Sequence, residues 1–136
     1  MKTSQAVTSA LSFLTGGGIL LQWILVWSGQ FPIDESVPGF RSYFLSFQAA
    51  DFWLIVLAFL TGVCTIRRNP KALLFGIALG SAMVFFGLYS LLYDLNTGLF
   101  FDFSASELFG KSVTFYNLLA GLLFIFLSWK DRRIDR

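Results

Sequence analysis

Histidine does not occur among the 136 residues of this chain. That excludes bis-histidine haem, histidine-bound zinc and di-iron sites, and any serine–histidine catalytic triad. Cysteine occurs once, at Cys64. One cysteine cannot close an intrachain disulfide or run dithiol chemistry, and its ordinary behaviour is that of a small buried apolar residue. Charge is scarce as well. Charged residues make up 13% of the chain, against about a quarter in soluble domains. No cofactor and no metal ion are expected from such a set.

Apolar residues fill the space that charge leaves. They account for 56% of the chain, with 17 phenylalanines beside 4 tryptophans and 4 tyrosines. They gather in four runs, at about residues 6–28, 49–66, 72–93 and 112–129. Each is close to the 17–25 residues or so that a helix needs to cross about 30 Å of hydrocarbon. None has the polar face at helical period that a water-soluble bundle requires. The first run is too long for a signal-peptide core and lacks a small-x-small cleavage pattern at its exit. The expected fold is therefore all-α: an integral membrane bundle of four transmembrane helices, up-down-up-down, forming a single domain over residues 1–136. No run contains a lysine, which excludes a retinal Schiff base, and the first contains no carboxylate of the kind a small proton-coupled exporter needs there.

Basic residues set the orientation. Lys2, Arg67, Arg68, Lys71, Lys130, Arg132, Arg133 and Arg136 fall on one side, whereas Arg41 and Lys111 fall on the other. The positive-inside rule places the larger group, and with it both termini, in the cytoplasm. A cell membrane of bacterial inner-membrane type is the expected location. The turn Arg67-Arg68-Asn69-Pro70-Lys71 is short, and its Asn-Pro pair is a turn signal. The outer connections, about 29–48 and 94–111, are longer and rich in rings: Phe31, Phe40, Tyr43, Phe44 and Phe47 in one, Phe100, Phe101, Phe103 and Phe109 in the other. Ser104-Ala105-Ser106-Glu107 has the form of a capping box, which predicts a short helix leading into the fourth span.

Polar groups inside hydrocarbon are costly, so each needs a role. Gln22 lies deep in the first span. Asp51 lies in the second, roughly 22 Å from its cytoplasmic edge at about 1.5 Å per residue. Tyr89 and Asp94 sit toward the outer end of the third, and Asn117 lies about two turns into the fourth. All five fall in the outer half. They are candidate ligand-binding residues around Asp51 as the ionisable centre. The competing reading makes Asp51 a helix cap and Asn117 an interhelical hydrogen-bonding group. Close packing is expected where small residues recur: Ala58 with Gly62, Gly76 with Gly80, and Gly121.

Three functional classes stay open. The first is a non-enzymatic accessory or assembly subunit that works through helix–helix and aromatic-loop contacts. The second is a binding or transport protein for a lipid or hydrophobic small molecule, using the outer polar residues. The third is an aspartate-dependent lipid-modifying enzyme, although no conventional catalytic set is visible. Expected partners are membrane lipids, together with other membrane subunits or further copies of the chain, and not nucleic acid.

Overall fold

Residues 1–132 are described by the structure, a computed structural model. Arg133 and Arg136, counted above in the basic tail, lie outside them, and so does the side chain of Arg132. Among the described residues the chain is all-helical and has no strand. Its elements are α1 (Thr3–Trp27), α2 (Phe40–Ser46), α3 (Gln48–Ile66), α4 (Lys71–Thr97), a 3-10 turn (Leu99–Phe101) and α5 (Ala105–Arg132). By length and composition, four segments can cross a membrane: Thr3–Trp27, Phe40–Ile66, Lys71–Thr97 and Ala105–Asp131.

The helices outrun the apolar runs. A run ends where charge begins, but a helix ends where its backbone groups find other partners. Residues 40–46 are helical inside the connection expected at 29–48, and Phe47 keeps right-handed helical backbone between α2 and α3. Before the connection to α5, α4 continues to Thr97, whose hydroxyl bonds the Tyr93 carbonyl at 2.8 Å. Gly98 then adopts φ 79°, a left-handed turn that only glycine takes cheaply. Ser104 does not start a separate short helix, because the helix that begins at Ala105 is α5 itself. Only residues 98–104 remain between α4 and α5. On the other side, Arg68 reverses the chain at φ 51°. The Asn69 N–H bonds the Cys64 carbonyl at 2.9 Å, and the Asn69 side chain accepts the Lys71 N–H at 2.9 Å.

By its internal contacts the chain divides into two compact units, Met1–Phe75 and the residues from Gly76 onward. In the first, α1 packs on α3. Gly16 lies against Ala58 and Phe59, so that a β-carbon there would meet both at 3.2 Å. Gly62 lies under the Phe13 ring, and that ring is 5.8 Å from Phe59. The triple glycine at 16–18 leaves α1 unbroken. In the second unit Gly80 and Gly121 bring α4 and α5 into backbone contact: a β-carbon on Gly80 would fall 2.5 Å from the Gly121 carbonyl oxygen. Gly87 gives way to Leu118 in the same manner. Leu79, Met83 and Phe124 are fully buried beside these contacts. Lipid offers no hydrophobic gain for joining apolar helices, so close van der Waals contact at small residues has to supply much of the attraction.

Candidate functional site

Asp51 is the fourth residue of α3, and it is buried. It does not cap the helix. Helical backbone already runs through Phe47, and the Asp51 N–H bonds the Phe47 carbonyl at 2.8 Å. The carboxylate is directed at the neighbouring helix instead. Its Oδ2 accepts the indole N–H of Trp23 on α1 at 2.8 Å. Trp23 is wholly buried. Its ring sits 5.7 Å from Phe44 and 6.1 Å from Trp27, and Trp27 in turn stacks on Phe52 at 5.6 Å. Gln22, the preceding residue of α1, is half-buried.

Trp23 is a site residue that the reading of polar positions missed. A signal was available: a buried indole needs an acceptor, and Trp23 lies about one turn before the end of α1 while Asp51 lies about one turn after the start of α3.

The remaining candidates belong to the second unit. Asp94 is half-buried on α4 and feels the charges of Glu107 and Lys111 on α5. Both of those are buried, although they read in the sequence as loop charges. Lys111 donates its ammonium to the Asp102 carbonyl, and the same Nζ lies 4.8 Å from the centre of the Phe103 ring. Asn117 is buried on α5, one turn beyond buried Thr114. Tyr89 is half-exposed, with its ring stacked on Phe85 at 6.3 Å.

Toward the other end of the first unit, α1 buries Gln5, Thr8, Ser9, Ser12 and Thr15, and α3 buries Thr61 and Thr65. These hydroxyls add a polar stripe to what the sequence presents as a mostly apolar half. Four of them have their protons committed to the turn below: Thr8 bonds the Ser4 carbonyl at 2.9 Å, Ser9 that of Ala6 at 3.1 Å, Ser12 that of Thr8 at 2.7 Å and Thr61 that of Leu57 at 2.7 Å. Self-bonding of this kind hides a hydroxyl donor inside a helix without an outside partner. Gln5 closes the first turn of α1 by accepting the Lys2 N–H at 3.1 Å.

Among the packing candidates, Ala58 and Gly62 face α1, and Gly80 meets Gly121. Gly76 is buried. Chemically, the arrangement offers one carboxylate held by an indole, one buried lysine held by a carbonyl, and hydroxyls turned back on their own helices.

Comparison with protein-family models, with curated proteins and with solved structures finds no match for this chain.

Proposed function

We propose that the chain is a small integral membrane protein whose four long helices span the bilayer as an up-down-up-down bundle with both termini in the cytoplasm. We propose further that it works without catalysis, as an accessory or assembly subunit that binds other membrane subunits through its helix faces and aromatic outer segments. The observation that carries this reading is how the buried polar groups are used. The Asp51 carboxylate is engaged by Trp23, and hydroxyls of Thr8, Ser12 and Thr61 by their own helices. The outward faces are apolar, with Leu14, Phe85 and Leu119 among the most exposed side chains. With its polar groups engaged inside the fold, the chain offers apolar and aromatic surface to lipid and to neighbouring membrane proteins, and that surface is what the subunit reading uses.

A pocket for a lipid or hydrophobic small molecule around Asp51 would find the carboxylate buried and its Oδ2 already held by the Trp23 N–H. Aspartate-based lipid chemistry would meet the same buried and partly engaged carboxylate. The Trp23 bond favours neither. Native mass measurement in mild detergent, on protein taken from its own membrane, tests the subunit reading. A stable stoichiometric complex with another membrane protein is the expected result. A lone chain or a pure homo-oligomer would overturn the accessory-subunit role.

A further inference from the structure

We infer that the segment between α4 and α5 lies in the outer leaflet and inserts Phe101 and Phe103 among phospholipid chains just below the headgroups. The inference rests on the transmembrane reading above. It also narrows that reading, because it gives this aromatic segment to lipid and leaves the first outer segment for protein contact.

Depth is the first step. Trp129 is exposed at the cytoplasmic end of α5, next to Lys130, a pairing typical of a membrane boundary. About 20 residues cross the hydrocarbon, and counted back from Trp129 they reach Phe109. Counted forward from Lys71 in α4, they reach Leu91. The last six residues of α4 therefore rise about 9 Å beyond the boundary.

A chain that continued outward from there would carry residues 98–104 into water. It does not continue outward. Gly98 turns it, Leu99 is buried and the 3-10 turn packs on α5. Lys111, two residues inside the count for α5, holds the Asp102 carbonyl. Even with its side chain extended outward, Lys111 keeps Asp102 within one side chain's reach of the hydrocarbon boundary, inside the interfacial layer. Phe101 and Phe103 flank that tie, and they are 71% and 72% exposed. An exposed ring at this depth meets lipid.

Charge decides which part of the lipid it meets. The Lys111 ammonium is buried and is given to a carbonyl, so it is not offered to phosphate. Its charged neighbours Asp94 and Glu107 are acidic. Insertion is then driven by the rings and does not require anionic headgroups.

The test uses full-length protein carrying Cys64→Ala and one new cysteine, spin-labelled and reconstituted in phosphatidylcholine vesicles. Collision with oxygen, which concentrates in hydrocarbon, is compared with collision with a water-soluble nickel chelate. Phe101→Cys and Phe103→Cys are the probes, Leu119→Cys is the mid-helix reference and Ser36→Cys is the aqueous one. The expected oxygen-to-nickel ratio at 101 and 103 is several-fold above that of Ser36 and below that of Leu119, and it does not change when phosphatidylglycerol is added. Adding Lys111→Met should lower the ratio at 103 toward the aqueous value. A ratio at 101 and 103 equal to that of Ser36 would overturn the inference while Leu119 still reads as buried in lipid. Shielding of both labels from both reagents would overturn it in favour of a protein cover. An aqueous value at Leu119 would remove the transmembrane reading itself, and this inference with it.

Discussion

Trp23→Phe should destabilise the protein, and adding Asp51→Leu to it should restore part of the loss. The indole N–H and the carboxylate Oδ2 are 2.8 Å apart, and both residues are buried. Interhelical hydrogen bonds in membranes average about 0.6 kcal/mol and reach about 1.7. Burial on both sides places this one at the upper end, about 1.5 kcal/mol. Asp51→Leu alone leaves the indole donor without its acceptor and should cost about that much. Asp51→Asn keeps an acceptor oxygen and should cost less than about 0.5 kcal/mol on the same reasoning. Trp23→Phe removes the donor, strands the carboxylate and opens space beside Trp27 and Phe44, for about 3 kcal/mol. In the double variant both ends are apolar and no polar group is stranded, so its cost should fall below that of Trp23→Phe, to about 2.5 kcal/mol, which is a coupling of about 2 kcal/mol. Denaturation in mixed micelles, followed by circular dichroism, measures each step. Strict additivity of the two single changes, or a loss in Asp51→Asn as large as in Asp51→Leu, would refute the reasoning.

Three other outcomes follow from the packing and the charge pattern. Gly121→Ala puts a β-carbon 2.8 Å from the Gly80 carbonyl oxygen and 2.9 Å from Val84. It should lower stability by about 1–3 kcal/mol, whereas Gly18→Ala points into open space and should be neutral or stabilising by up to about 1 kcal/mol; melting curves in detergent compare them. Gly62→Ala meets only the far end of the Phe13 ring, at 2.8 Å, so it should cost less than Gly121→Ala, and Phe13→Leu should relieve it; equal losses in the two alanine variants would count against this account. Ser36→Cys in a Cys64→Ala background should react with a membrane-impermeant maleimide from outside intact cells, and labelling from the cytoplasmic side alone would reverse the proposed topology.

How much was readable in advance differs by feature. The helical segments were visible as apolar runs, and Asn69-Pro70 marked the tight turn between two of them. The ends were less visible, because apolar character reports where lipid would stop and not where hydrogen bonding stops. That is why α4 runs on to Thr97 and α5 starts back at Ala105. Spacing within a helix pointed to Ala58, Gly62, Gly80 and Gly121. The triple glycine likewise marked a thin place at Gly16, which lies against Ala58, but nothing pointed to Gly87, which lies against Leu118. Asp51 stood out as a carboxylate in an apolar run, but its apparent role as a cap failed once α2 was found to lead almost directly into α3.

Composition by itself determined the helical class and the four long elements, since backbone groups away from water must bond within their own segment. It also determined the families of chemistry that a chain without histidine cannot perform. Tertiary structure decided which residues meet. The Trp23–Asp51 bond joins positions 28 apart in sequence, and the hold of Lys111 on Asp102 crosses from a helix to the segment before it. Periodicity assigns residues to a face, but it leaves open the rotation of one helix against another and their relative register. Those two quantities are set by which side chains interlock at contact distance, and no single segment contains that information.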